Sequence, residues 1–224
     1  MARLARVVIP GLPHHVTQRG NGRQRTFFSD DDYKLYRRLL AESCRSAGVA
    51  CWAYVLMPNH VHAILVPREA DGLRAALART HRAYAGIVNA RRGRTGHFWQ
   101  GRFGAVAMDE AHVATAFAYV LLNPVRARLA ARAVDWKWSS ARAYLKGADD
   151  GLTETGPIRE RFDDVAALLD DDAALARIPR LRRAETIGRP LGSDKFLAGL
   201  ERRTGWRLAP AKRGPKPQDG VERR

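Results

Sequence analysis

The feature that most restricts the fold is a pair of apolar runs separated by only two residues. The first run, VACWAYVLM, stops before Pro58, and the second, HVHAILVP, starts after Asn59. Two strand-like runs joined by so short a connection predict an antiparallel β-hairpin. Because side chains alternate across a strand, His60 and His62 are expected on one face of the sheet and Val61 on the other.

The segments around this hairpin alternate between strand and helix patterns. Five of them are recognisable: a strand over 13–20, a helix over 29–48, a helix over 71–93, a strand over 102–109 and a helix over 109–124. Ser29 is expected to cap the first helix, and Pro124 to stop the last one at Asn123. The second helix is expected to carry a mostly helical apolar stripe that includes Ile87. The order β-α-β-β-α-β-α predicts an α+β fold with a ferredoxin-like split β-α-β arrangement, in which two helices cover one face of an antiparallel sheet.

Charge divides the chain into three parts. Of a formal net charge of +16, residues 1–148 carry +14, residues 149–172 carry −7 and residues 173–224 carry +9. We interpret these parts as a basic domain, an acidic linker and a basic C-terminal extension that ends in a disordered tail over 209–224. Arginine dominates the positive charge and favours a phosphate-rich partner. A coding bias towards arginine is the alternative explanation for part of the excess.

Other global features exclude several classes of protein. The chain has two cysteines, Cys44 and Cys51, which are too few for a disulfide scaffold and lack a metal-binding spacing. Its N-terminal apolar run is too short for a secretory signal, and no segment approaches the roughly 18 apolar residues of a membrane span. We therefore expect a soluble cytoplasmic protein that does not interact with a membrane.

The two histidines of the hairpin have the spacing of metal ligands on a strand. The structural alternative is a pair of partly exposed histidines on a solvated sheet face. Partners for them are available on the last helix, where Tyr119 and Asn123 lie one turn apart on the same stripe. The corresponding alternative is that Tyr119 is an ordinary amphipathic residue and Asn123 a C-cap.

Four motifs together resemble those of the REP-associated tyrosine transposases, relatives of the single-tyrosine HUH transposases of small insertion sequences. They are PGLPHHVTQRGNGRQRTFF, YVLMPNHVHAILVP, GHFWQGRF and YVLLNPVRARLA, in the same order and at similar separations, and the resemblance covers about residues 7 to 145. It implies a metal site at His60 and His62 with Asn123 nearby, and a catalytic nucleophile at Tyr119.

The same resemblance implies an activity. Such an enzyme is a metal-dependent endonuclease and strand transferase that acts on single-stranded DNA at REP-like palindromic hairpins. It forms a covalent 5′-phosphotyrosine intermediate, uses Mg²⁺ or Mn²⁺, and works as a monomer or homodimer. A nucleophilic phenol beside a cation suits phosphoryl transfer, in which positioning and electrostatics do most of the work.

Basic and aromatic residues are the predicted DNA contacts. They are Arg19, Arg23, Arg25, Trp99, Arg102, Arg126 and Arg128. Aromatic rings among arginines suit stacking on unpaired bases beside a phosphate track. Core packing is the alternative for Trp99, and a structural role is the alternative for the motif that holds Arg126 and Arg128.

Two other histidine-based functions do not fit. A histidine-triad hydrolase needs a third histidine where the strand has Ile64, and a two-histidine phosphoesterase needs two HxT or HxS elements where only His15-Val16-Thr17 fits. The remaining alternative is a non-catalytic nucleic-acid-binding regulator on the same fold, which would give Tyr119 no role as a nucleophile.

Overall fold

The fold is built on one antiparallel β-sheet, seen in a computed structural model that describes residues 6–208. The strands are β1 (His14–Arg19), β2 (Val49–Met57), β3 (His60–Pro67) and β4 (Gly104–Ala107). They lie in the order β2-β3-β1-β4, and every neighbouring pair is antiparallel. The predicted hairpin is β2-β3, and β3 separates the two strands that the first helix connects, so the predicted α+β class is confirmed.

Eight α-helices are present in the described part of the chain. They are α1 (Asp30–Ser46), α2 (Gly72–Arg91), α3 (Glu110–Arg126), α4 (Ala141–Lys146), α5 (Gly156–Arg159), α6 (Asp172–Ala176), α7 (Ile178–Ile187) and α8 (Asp194–Thr204). Ser29 caps α1 as predicted, in a reciprocal arrangement with Asp32 three residues later. None of these helices is long and apolar enough to cross a bilayer.

The two faces of the sheet are covered by different helices. On one face α1 and α2 pack against each other and against the sheet, and Tyr36 and Tyr84 are fully buried there with Leu56. On the other face α3 packs with Phe117 against Val55 and Ile64. Because side chains alternate along each strand, the strands contribute apolar residues to the hydrophobic clusters on both faces. The sheet is therefore the middle layer of the molecule.

Two details of the predicted helices are wrong. Helix α3 does not stop at Asn123 but runs through Pro124 to Arg126, and the Ala127 N–H donates to the Asn123 carbonyl at 3.0 Å. A proline disfavours a helical conformation at the preceding residue without forbidding it, and here both residues are buried against the core. Ile87, predicted on the apolar stripe of α2, is 46% exposed.

The region after residue 148 packs mainly against α3, on the face of the sheet that this helix covers. Ile158 and Val165, in the segment predicted as a linker, and Leu181 of α7 belong to the same hydrophobic cluster as Phe117. The predicted division into residues 1–148, 149–172 and 173–224 stays a prediction. Helix α8 lies in the predicted basic C-terminal extension, and the tail predicted over 209–224 lies outside the described residues.

Candidate active site

The two histidines of β3 lie on the face of the sheet that α3 covers. The strand register places His62 opposite Thr17 of β1 and Val55 of β2. The ring centroids of His60 and His62 are 4.9 Å apart, whereas Val61 packs in the cluster on the opposite face. The side-by-side placement that the alternation predicts is therefore observed.

Each of these two histidines has one ring nitrogen occupied by a neighbour. Nδ1 of His60 lies 2.6 Å from the Asn59 side-chain oxygen, and Nδ1 of His62 lies 3.1 Å from Nε2 of His15. Because an amide oxygen can only accept, His60 carries its proton on Nδ1 and keeps a lone pair on Nε2. Nε2 of His62 is buried and has no hydrogen-bond partner among the residues described.

Both imidazoles are held in the neutral state. Burial lowers the pKa of His60 to about 4, and the charge of Arg19 acts in the same direction. Burial lowers the pKa of His62 well below its usual range, and the neighbouring His15 contributes to this shift. A neutral imidazole is the form that binds metal ions, so the two rings are ready ligands at neutral pH.

Helix α3 brings Tyr119 to the same pair of rings. The Tyr119 ring centroid lies 5.2 Å from that of His62 and 5.8 Å from that of His15, edge-on in both cases. The residue is 8% exposed. Burial raises the pKa of Tyr119 and the charge of Glu185 adds to this shift, so that the phenol is protonated near neutral pH.

Asn123 connects the tyrosine with the first histidine. It follows Tyr119 by one turn on α3 and is buried. Its side chain lies near enough to act on both, raising the pKa of His60 and lowering that of Tyr119. The four residues predicted as catalytic or metal-binding are thus gathered in one place, although their roles remain predictions.

Two further residues at this place were not among the predicted site residues. The ring of His15 on β1 stacks on that of His62, with centroids 5.2 Å apart and an interplanar angle of 6°. Glu185 of α7 places Oε1 at 3.1 Å from Nδ1 of His15. His15 could have been found from the alternation of β1, because β1 neighbours β3 in a split β-α-β sheet. Glu185 has no comparable signal, since it is a lone acid in the basic helix IPRLRRAETI.

Comparison with known proteins identifies the family. Residues 10–122 match the model of the IS200-like transposases. The chain belongs to this family. The matched residues include His15, His60, His62 and Tyr119, whereas Asn123 and Glu185 lie beyond them.

One solved structure agrees with this IS200-like transposase assignment at the level of the fold. A REP-associated tyrosine transposase bound to a REP hairpin superposes with a TM-score of 0.57 at 20% sequence identity, over 69% of this chain and 90% of that one. A candidate transposase from Deinococcus radiodurans R1 covers 53% of this chain and 95% of its own at 18% identity, with a TM-score of 0.38, too low to establish a common fold. Curated proteins give no match.

Three of the predicted DNA contacts of this IS200-like transposase lie close to the histidines and the tyrosine. Arg19 faces His60 across the β1-β3 pairing. The carbonyl of Arg23 accepts a hydrogen bond from the Asn59 side chain at 3.0 Å. The positive charge of Arg126 lowers the pKa of Tyr119.

The other predicted DNA contacts are placed differently. Arg25 donates to the Phe27 carbonyl at 2.5 Å, and the side chains of Arg102 and Arg128 are exposed. Trp99 is half-buried, packs against the aromatic cluster between α1 and α2, and donates its indole N–H to the His81 carbonyl at 3.1 Å. Its stacking on DNA stays a prediction.

Proposed function

We propose that this IS200-like transposase is a metal-dependent endonuclease and strand transferase for single-stranded DNA, which acts at REP-like palindromic hairpins through a covalent 5′-phosphotyrosine on Tyr119. The observation that carries the proposal is the Tyr119 ring at 5.2 Å from the ring of His62, which itself lies 4.9 Å from the ring of His60. A nucleophile and two neutral ligands in one place are what cleavage by transesterification requires.

The reaction exchanges one phosphate ester for another. The Tyr119 oxygen forms a bond to phosphorus while the bond to the 3′ oxygen breaks, the phenol loses its proton, and the leaving 3′ oxygen gains one. Burial and Glu185 oppose ionisation of the phenol, whereas Arg182, Asn123 and Arg126 favour it. These three groups therefore stabilise the negative charge that develops on Tyr119 during attack. Reversal with a DNA 3′-hydroxyl joins strands without a nucleotide cofactor.

His60 and His62 would hold the divalent cation, with Asn123 beside them. The residues fit such an ion: Nε2 of His62 is buried without a partner among the described residues, and the Asn59 contact at Nδ1 of His60 leaves the lone pair of that ring on Nε2. When bound, Mg²⁺ or Mn²⁺ neutralises a non-bridging phosphate oxygen and makes the phosphorus more electrophilic. The Asn59 contact orients the His60 ring.

The basic surface around this centre would hold the DNA strand. Arg19 and Arg23 lie at the β1-β3 edge of the site and Arg126 at the end of α3, so they can contact consecutive phosphates as the strand passes Tyr119. The REP hairpin is proposed as the substrate because a REP-associated transposase of similar fold binds one.

The test is a covalent adduct with labelled single-stranded DNA that carries a REP-like hairpin, detected on a denaturing gel in the presence of Mn²⁺. Wild-type protein should form the adduct, and Tyr119→Phe and His60→Ala should not. Tyr33→Phe is the matched control, since it removes a phenolic oxygen from the opposite face of the sheet. DNA binding without metal and without any adduct would refute the proposal and favour a non-catalytic regulator.

A further inference from the structure

Three residues whose side chains can bind metal, His15, His62 and Glu185, lie together next to the proposed catalytic centre. Each has one buried atom without a hydrogen-bond partner in the described part of the chain, namely Nδ1 of His15, Nε2 of His62 and Oε1 of Glu185. The Glu185 oxygen lies 3.1 Å from Nδ1 of His15 and 4.0 Å from Nδ1 of His62. One donor atom from each residue can be chosen so that all three lie within 4.8 Å of one another.

These spacings are those of ligands around a shared ion. Donors that each lie about 2.0–2.2 Å from one ion are separated by about 3–4.4 Å. The rings of His15 and His62 share one proton across their 3.1 Å contact, so both become ligands through side-chain rotations that break this contact. A buried carboxylate oxygen beside imidazole rings is costly unless a positive charge accompanies it. Imidazole and carboxylate together form a donor set for Mn²⁺, Fe²⁺ or Zn²⁺.

We propose that His15, His62 and Glu185 form a divalent-cation site in the DNA-free protein. This site differs from the one formed by His60, His62 and Asn123, with which it shares only His62. Binding of the cation at this site does not depend on the proposed function. Only its importance for DNA cleavage rests on that function.

Glu185 gives this site a particular architecture. It lies on α7, outside the residues that match the IS200-like transposase family, whereas His15 and His62 lie within them on adjacent strands. Helix α7 packs against α3 and β4. A cation bound by all three residues would therefore fasten the C-terminal region to the sheet. The nearby positive charges of Arg19 and Arg182 repel a cation. The negative charge of the Glu185 carboxylate is therefore needed to offset part of this repulsion.

The test is a titration of the DNA-free, full-length protein with Mn²⁺ by isothermal titration calorimetry. Glu185→Gln and His15→Gln should each weaken Mn²⁺ binding at least about tenfold, and Glu185→Asp should retain part of the affinity. Glu160→Gln, which removes an exposed carboxylate from the same C-terminal region, should bind Mn²⁺ like the wild type. Mn²⁺ should also raise the unfolding temperature of the wild type more than that of Glu185→Gln.

Two outcomes would overturn the inference. Unchanged Mn²⁺ affinity in a folded Glu185→Gln variant would mean that the carboxylate only forms an ion pair with a protonated histidine. Affinity that is lost in Asn123→Ala and kept in Glu185→Gln would place the cation at the other three residues. Neither result depends on Tyr119. Adduct formation by Tyr119→Phe would refute the proposed nuclease, but it would not change the result of the Mn²⁺ titration.

Discussion

His14 should make the stability of the protein sensitive to acid. It is fully buried at the start of β1, where Nε2 accepts from the Ile9 N–H at 3.1 Å and Nδ1 donates to the Leu12 carbonyl at 2.8 Å. Burial lowers the pKa of His14 to about 4 from an ordinary value of 6.5. A proton added to Nε2 would face the Ile9 N–H, so folding requires the neutral ring.

The size of the effect follows from the two pKa values. Between them the unfolded chain binds a proton that the folded chain does not, so stability is complete above the unfolded value of 6.5 and is lost as the pH falls towards about 4. From about pH 7 to about pH 5 this group should reduce the free energy of unfolding by about 2 kcal/mol. This loss of free energy of unfolding changes little for any pKa of His14 in the folded protein below about 5.

Urea unfolding of the wild type and of His14→Gln at these two pH values measures the effect. The glutamine amide cannot titrate, so the free energy of unfolding should fall by about 2 kcal/mol less in the variant than in the wild type. Equal losses in the two proteins would refute the reasoning. If His14→Gln does not fold, the ring nitrogens of wild-type His14 can be followed by NMR, and an imidazolium at about pH 5 would refute it equally.

Three further predictions concern stability and DNA binding. Asp32 is fully buried, accepts hydrogen bonds from two backbone N–H groups and pairs with the half-exposed Arg91, so Asp32→Ala should cost about 1–3 kcal/mol in urea unfolding. A Cβ on Gly20 would lie 2.4 Å from the Gln24 carbonyl oxygen, so Gly20→Ala should cost about 1–3 kcal/mol by the same measurement. Arg102→Ala should weaken single-stranded DNA binding and reduce its slope against log salt concentration by about one unit, measured by fluorescence anisotropy.

Sequence patterns sufficed wherever the structure depends on neighbours along the chain. The hairpin followed from two apolar runs and a two-residue connection, and the start of α1 followed from Ser29, whose cap uses Asp32 only three residues away. Asn123 was predicted to end α3 because the local preference of the residue before Pro124 points away from helix. Burial of both residues overrides that preference, and burial is a property of the assembled core.

The same distinction separates the site residues. His60, His62, Tyr119 and Asn123 share a strand or a helix stripe in pairs, so spacing alone can relate them. His15 reaches His62 only through the pairing of β1 with β3, which requires the topology of the sheet. Glu185 lies still further from local information, because its position depends on how α7 packs against α3 and β4.

The histidine doublet in β1 has a consequence for folding fidelity. A slip of this strand by one residue would turn His14 towards α3 and His15 away from it, so an imidazole would still occupy the vacated position. Misregistered molecules would thus retain an imidazole at the site, but they would lose both hydrogen bonds of His14 as well as hydrophobic packing. Val16, which is 2% exposed in the correct register, would be turned away from its hydrophobic cluster. Burial of this side chain therefore favours the correct register of β1.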